Sequence, residues 1–268
     1  MGRRLAVVVE LLAMVTYRSP REWERMRDAG RVVARILAGT RDAAEPGMPL
    51  AELDAVAGRI LRENGATSPF LHYKPSWAPV PYPANICVSV NDVVVHGIPD
   101  GRVLMGGDLV SVDCGARVDG YCGDAAVSFF VGAGDEAGRR LLEVTERALE
   151  RAIAAAVPGN RMGDIANAVE RTARKAGYGI TRGCGGHGIG TEMHEDPPVP
   201  NVGKAGKGMP LREGLTIAIE PMFHEGGSDG SRQLSDGWSI ATADGSRAAH
   251  FEHTIAITGD GPVVLTAL

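Results

Sequence analysis

Cysteine is scarce in this chain, positive charge is outnumbered and no hydrophobic run is long, and each shortage removes a class of function. The four cysteines, Cys87, Cys114, Cys122 and Cys184, show neither Cys-x-x-Cys spacing nor the paired arrangement of a zinc finger. Cys114 and Cys122 are expected directly or nearly opposite each other in the hairpin described below. A disulfide would be feasible there, but reduced thiols in a reducing cytoplasm are the favoured reading. A formal net charge of -5 offers no electrostatic case for nucleic acid, so DNA is not expected as a partner. No stretch is long enough to span a membrane. The segment Met1 to Val15 sets two arginines before an apolar run, as a signal peptide does. Glu10 interrupts that run, however, and no small-residue cleavage site follows. Residues 1–18 are therefore expected to form a short strand or disordered extension, with Met14 as an alternative start, ahead of a domain over 19–268. The 268 residues suffice for one large domain or two small ones with ample core.

Side chains able to bind metal are present in telling places. Leu109-Val-Ser-Val-Asp-Cys-Gly-Ala-Arg-Val-Asp-Gly-Tyr-Cys-Gly-Asp124 reads as a hairpin with Asp119-Gly120 as its two-residue turn, because both turn positions must tolerate positive φ. With Val118 opposite Tyr121, Gly115 faces Asp124 and Asp113 faces Ala126. Asp113 and Asp124 are then diagonal neighbours on one face, their β-carbons about 7–8 Å apart, within reach of a metal pair spaced about 3.5–4 Å. Two aspartates flanking a turn are usually a solvated face. Here the apolar runs Leu109-Val-Ser-Val and Ala125-Ala-Val-Ser-Phe-Phe-Val border them, and a buried carboxylate needs a partner.

Three further candidates follow. His187 stands in a glycine-rich turn, Gly185-Gly-His-Gly-Ile-Gly190, and His194 in the proline-bounded segment Met193-His-Glu-Asp-Pro-Pro, suited to a site rim. Glu220 ends the alternating stretch Leu215 to Met222, a half-buried strand stopped by Pro221. Glu252 lies at the centre of the strand-like run Ala248 to Thr258, which has no lysine or arginine after Arg247. A glutamate so placed calls for a metal or a proton. Asp113, Asp124, His187, Glu220 and Glu252 together offer one nitrogen and four carboxylates, a mix suited to two hard-to-borderline divalent ions.

Sliding the chain against itself aligns Pro46 to Gly65 with Pro158 to Gly177 at a constant offset of 112, with Pro, Gly, acid, aliphatic, Arg and terminal Gly recurring. Each copy follows a longer helical segment, roughly 20–43 and 135–156. The first is announced by Ser19-Pro20-Arg21-Glu22, with serine at N-cap, proline at N1 and a capping-box glutamate at N3. Gly65 and Gly177 read as C-terminal stops.

His96-Gly-Ile-Pro-Asp100, the Asp113/Asp124 spacing, Gly186-His-Gly-Ile-Gly190 with His194, Ile219-Glu-Pro-Met222 and Phe251-Glu-His-Thr254 occur in an order that resembles the type I methionine aminopeptidases, from about Ser19 to the C-terminus. The resemblance implies an α+β, pseudo-two-fold "pita-bread" fold, a curved antiparallel sheet backed by two helix pairs, with the site between the halves. It implies that Asp124 and Glu252 bridge two divalent metals (Co, Mn, Fe or Zn), that Asp113 binds one, and that His187 and Glu220 bind the other. His96 and His194 look like the family's non-ligand histidines, which contact substrate and stabilise charge at the scissile carbonyl. Glu220 would carry the proton from water to the leaving amine, and the substrate α-amine would bind at the metal of Asp113. A methionine pocket would be formed by Tyr82, Cys87, Met193 and Trp238 with His96. The implied function is removal of N-terminal methionine from nascent chains whose second residue is small, by a cytoplasmic monomer. A local basic face would still allow a transient ribosome contact.

The chain departs from that pattern in places. Met193 stands where many relatives carry an aromatic, and Pro69 to Pro83 is longer and more proline-rich than expected. The N-terminal zinc-binding extension that several members carry is not expected here. Among alternatives, proline-specific peptidases of the same fold usually carry an extra N-terminal domain, and type II enzymes carry a helical insertion that is missing between His194 and Glu220. A non-catalytic ribosome- or RNA-binding homologue would be expected to have lost ligands, and all five are present.

Overall fold

The computed structural model describes residues 15–267. Of the strand or extension expected over residues 1–18, residues 1–14 lie outside them. Four helices are described, α1 (Pro20–Ala43), α2 (Leu50–Glu63), α3 (Glu136–Ala155) and α4 (Met162–Ala176). The first half carries strands β1 (Cys87–Val90), β2 (Val93–Val95), β3 (Leu109–Val118) and β4 (Tyr121–Phe130). The second carries β5 (Gly179–Ile180), β6 (Gly185–Gly188), β7 (Glu195–Pro200), β8 (Thr216–Ile219), β9 (Met222–His224), β10 (Ser231–Gln233), β11 (Ile240–Thr242), β12 (Ala248–His250), β13 (Glu252–Thr258) and β14 (Gly261–Val264).

Helix α1 starts where the capping residues place it. The Glu22 carboxylate accepts the Ser19 backbone N–H at 2.8 Å, while the Ser19 hydroxyl donates to the same carboxylate instead of capping the helix backbone. Its buried stripe, Trp23, Met26, Val33, Ile36 and Thr40, follows the three-to-four spacing of an amphipathic helix. The repeat recurs in three dimensions. Gly47 and Gly159 both take φ 95°, a left-handed value glycine adopts without a β-carbon clash. The amides of Gly47, Leu50 and Ala51 donate to the carbonyls of Leu104, Arg102 and Asp100. Their counterparts Gly159, Met162 and Gly163 donate to Leu211, Met209 and Lys207. Gly177 is the left-handed C-cap of α4, whereas α2 caps at Asn64 and turns left-handed at Gly65.

The main sheet runs β1-β3-β4-β13-β8-β6-β7, with β14 on β13, and every pairing is antiparallel. The α1/α2 pair packs on its β1/β3/β4 part through Val33, Ile36, Leu53, Val110 and Val112. The α3/α4 pair packs on β8 and β13 through Leu141, Ile165, Val169, Ile217 and Ile255. This is the expected curved sheet with two helix pairs. Helices cover one face of each half, so the concave side is left for a cleft. No helix of the described residues is long and apolar enough to cross a membrane.

The hairpin register is as expected, with Val118 opposite Tyr121, Gly115 opposite Asp124 and Asp113 opposite Ala126. Asp119 and Gly120 both have positive φ. The same register corrects the cysteine expectation: Cys114 faces Ala125 and Cys122 faces Arg117, so the two thiols are offset by three rungs, and all four cysteines are free. Two local settings also differ. His187 sits within strand β6, not in a turn, because its glycine neighbours permit close sheet pairing. A β-carbon at Gly186 would meet the Ala218 carbonyl oxygen at 2.1 Å, and one at Gly188 would meet that of Asp196 at 2.2 Å. Glu252 opens β13 and is not at a strand centre, because the chain changes sheets at Phe251, from β12 paired with β9 to β13 in the main sheet.

Arg18 falls on the extension side of the expected boundary yet is 5% exposed. It donates to both Glu195 carboxylate oxygens at 2.7 Å and to Thr216 Oγ1 at 3.0 Å, tying the chain entry to β7 and β8. Replacing one member of a buried pair leaves the other charge unmatched. Arg18→Met is therefore expected to lower stability by about 3 kcal/mol, measured by urea unfolding. A loss under about 1 kcal/mol would mean that the pair behaves as a surface ion pair.

Candidate metal centre

Three strands bring the carboxylates together by register. Asp113 on β3 is opposite Ala126 on β4, which is opposite Glu252 on β13. Directly paired residues point to the same face, as do residues two apart on one strand, so Asp113, Glu252 and Asp124 share the concave face. Ala126, between Asp113 and Glu252, is small enough to leave the space above it open. Asp124 is locked to β13 at its backbone: its N–H donates to Thr254 Oγ1 at 2.9 Å, and the Thr254 hydroxyl donates to its carbonyl at 2.8 Å. Glu220 follows β8 directly, and its carbonyl accepts from Asn201 Nδ2 at 2.9 Å. His187 enters from β6.

These groups line a cavity of about 630 Å³ together with His96, His194, Tyr82, Cys87 and Trp238. The donor atoms of Asp124, His187 and Glu252 lie within 4.8 Å of one another, and so do those of Glu220, His250 and Glu252. Glu252 belongs to both groups. Asp113 stands outside both, on the cavity wall beside Asp124. His187 Nε2 is 3.7 Å from Asp124 Oδ2 and 3.8 Å from Glu220 Oε1. These separations are too long for hydrogen bonds. Since the Gly188 carbonyl can only accept, the 2.8 Å contact at His187 Nδ1 places the ring proton there, leaving Nε2 bare toward the carboxylates.

The electrostatics are those of a site made for cations. Asp113 Oδ1, Asp124 Oδ1, Glu252 Oε1 and His250 Nε2 are buried without a hydrogen-bond partner among the described residues, and no lysine or arginine of those residues lines the cavity. Burial pushes all four carboxyls up, Asp124 to about 8 and Asp113, Glu220 and Glu252 well above the carboxylate range, with neighbouring carboxylates adding to the last three. Burial pushes His187 and His96 down to about 4 and His194 and His250 to about 3, so these rings are neutral near pH 7. Without an ion, protons must balance the carboxylates. The donor set, one or two neutral imidazoles with buried carboxylates, fits divalent cations.

Of the residues expected at the pocket, Tyr82, Cys87, Trp238 and His96 do line the cavity, and Met193 does not. Met193 is 4% exposed in a cluster with Trp23, Met26 and Phe70, its thioether filling the gap over Gly115. Phe70, Tyr73 and Trp77 supply aromatic wall in its stead. His250 went unrecognised from sequence. Its Nε2 lies 3.8 Å from Glu220 Oε2 and 3.7 Å from Glu252 Oε2. A signal existed in its position two residues before Glu252.

Comparison with known proteins agrees with the geometry. The profile of metallopeptidase family M24 matches residues 24–259. Methionine aminopeptidase 1 of Mycobacterium tuberculosis (strain CDC 1551 / Oshkosh) is 49% identical over 260 residues, covering 94% of this chain and 95% of that protein. The methionine aminopeptidase of Aquifex aeolicus (strain VF5) is 46% identical, covering 93% and 98%. The crystal structure of methionine aminopeptidase from Thermotoga maritima superposes with a TM-score of 0.91 at 42% identity, over 95% of this chain and 100% of that one. A prolidase from Pyrococcus furiosus shares the fold, with a TM-score of 0.74 at 22% identity over 94% of this chain and 65% of that one.

Proposed function

The chain belongs to metallopeptidase family M24, among the methionine aminopeptidases, and on that premise we propose that it hydrolyses the first peptide bond of chains beginning with methionine. The observation that carries this reading is the convergence of Asp113, Asp124, His187, Glu220 and Glu252 in one cavity that no lysine or arginine of the described residues lines. These five would hold two divalent ions, of cobalt, manganese, iron or zinc, whose Lewis acidity makes water a competent nucleophile near neutral pH. Glu252, common to both donor groups, suits a bridging role.

The side chains divide the remaining work. Glu220, ionised once metal is bound, would take a proton from the attacking water and return it to the leaving amine, which is general acid–base work. His194, kept neutral by burial, retains an N–H to donate to the carbonyl oxygen as charge develops there. His96, also neutral, would hold the peptide as a second non-ligand contact. Tyr82, Cys87 and Trp238, 2%, 5% and 3% exposed, form an apolar pocket for the methionine side chain. The α-amine is received at the Asp113 end of the cluster. The same reading has a cytoplasmic monomer acting on nascent chains with a small second residue, with at most a transient contact to the ribosome.

His194→Ala is expected to lower kcat about 100- to 1,000-fold, the usual effect of losing a donor to the developing oxyanion, with metal content retained. His96→Ala should lower turnover while leaving metal bound. Loss of metal from either variant, by elemental analysis, would overturn the non-ligand role. The reaction itself is tested by offering Met-Ala-Ser and Ala-Pro-Ser to chelator-stripped protein reloaded with Co²⁺ or Mn²⁺. Cleavage of the methionine peptide alone is expected. Cleavage before proline would move the chain to the proline-peptidase activity, and no cleavage despite bound metal would favour a binding role.

A further inference from the structure

The proline-rich stretch between Pro69 and Pro83 is built into the cleft. His72 N–H donates to the Tyr82 carbonyl and Tyr82 N–H to the Tyr73 carbonyl, both at 2.8 Å, so residues 74–81 project from a closed neck. Trp238 Nε1 donates to the Val80 carbonyl at 3.0 Å. Pro79 packs against Gly237, where a β-carbon would come within 2.5 Å of its ring. Pro75, Pro79 and Pro81 restrict the loop further. At its tip Trp77 is 53% exposed, unlike the buried Trp238. One side of its indole is engaged, stacked on His96 at 6.0 Å and 22° and set edgewise to Trp238 at 4.9 Å. Trp77 also lines the cavity.

We propose that Trp77 is a specificity-determining residue for the third residue of the peptide and that it favours an aromatic or large apolar side chain there. The proposal rests on the aminopeptidase reading above. In an extended peptide, alternate side chains share a side and lie about 7 Å apart along the chain. The first side chain occupies the closed end, walled by Tyr82 and Trp238. The third therefore emerges on that same side, one step toward solvent, and the aromatic surface one step out from Trp238 is the indole of Trp77. The second side chain points to the other side and does not meet it. An aromatic side chain laid against the indole gains burial and ring contact, whereas glycine gains neither.

The test compares kcat/KM for Met-Ala-Phe and Met-Ala-Gly with Mn²⁺-loaded wild type, Trp77→Ala and Trp77→Phe. The ratio between the two peptides is the readout, because any disturbance of His96 would slow both alike. Wild type is expected to favour Met-Ala-Phe about 3- to 10-fold, mainly through KM. Trp77→Ala should bring the ratio close to one, and Trp77→Phe should keep part of it. A wild-type ratio near one, or a preference that survives in Trp77→Ala, overturns the proposal. If wild type cleaves neither peptide, the aminopeptidase reading has failed. Calorimetric binding of the same peptides to the Mn²⁺-loaded proteins then decides the role of Trp77: tighter Met-Ala-Phe binding that depends on Trp77 upholds it, and equal affinities overturn it.

Discussion

Asp113→Asn and Glu252→Gln are expected to fold, to lose metal affinity and to retain less than about 1% of wild-type activity. Altering a residue that merely supports a metal ligand usually costs about 10- to 100-fold, and removing a charged ligand should cost more. Folding survives because the metal-free site is a cluster of mutually repelling carboxyls, so neutralising one of them relieves repulsion. The two variants should differ in one respect. Glu252 belongs to both donor groups, and Asp113 to neither, so Glu252→Gln should weaken binding of every ion, whereas Asp113→Asn should spare the ion at the His187 side. Metal content by elemental analysis, read beside activity on Met-Ala-Ser, separates them. Most of the activity surviving in either variant would sink the assignment.

Metal-free protein is expected to lose stability between pH 6.5 and 8.5, while metal-loaded protein does not. A carboxyl whose folded value is raised binds more protons folded than unfolded. Its stabilising contribution is therefore complete below about pH 4 and is lost as pH rises through the folded value, about 8 for Asp124. Asp113, Glu220 and Glu252 are shifted the same way. The histidines act oppositely and lower down. With folded values of about 3 to 4, they cost stability below their unfolded value of about 6.5 and nothing above it. Above pH 6.5 the carboxyls act, each contributing up to about 1.4 kcal/mol per pH unit while it titrates. Near pH 8.5 the thiols of Cys87, Cys114, Cys122 and Cys184, also raised by burial, add a loss that metal does not remove. Bound metal holds them ionised and binds more tightly as protons leave, so the gap between melts in chelator and in Mn²⁺ should widen with pH. A chelator curve flat across that range would mean that the carboxyls are not buried together.

Local chemistry explains which features could be read early. The β3/β4 hairpin was legible to the rung because an Asp-Gly turn sets register through two residues of positive φ, with no help from the rest of the chain. The repeat was legible because each copy carries its own turn glycine and helix stop. The resemblance to a known family supplies the candidate ligand pattern, yet the structure corrects the local settings of two of those candidates. The glycines around His187 signal a turn locally, and only their approach to the Ala218 and Asp196 carbonyls makes them a strand requirement. Glu252 was placed mid-strand because a continuous β-branched and aromatic run does not reveal a change of partner sheet at Phe251. Met193 was assigned to the pocket by position, but the space over Gly115 that accepts its side chain arises from packing.

The amino-acid sequence by itself determined the two helix pairs, the hairpin register, the two-fold repeat and the residue types of a metal centre. These depend on backbone conformations and side-chain periods that a few neighbouring residues specify. Only the tertiary structure decided that Asp124 and Thr254, 130 positions apart, lock β4 to β13, that His250 joins Glu220 and Glu252, and that Trp77 stands over His96. Those contacts follow from which strand edges pair and which side chains then share one cavity. Burial in that cavity, with no lysine or arginine of the described residues lining it, turns ordinary carboxylates into groups that hold either protons or metal.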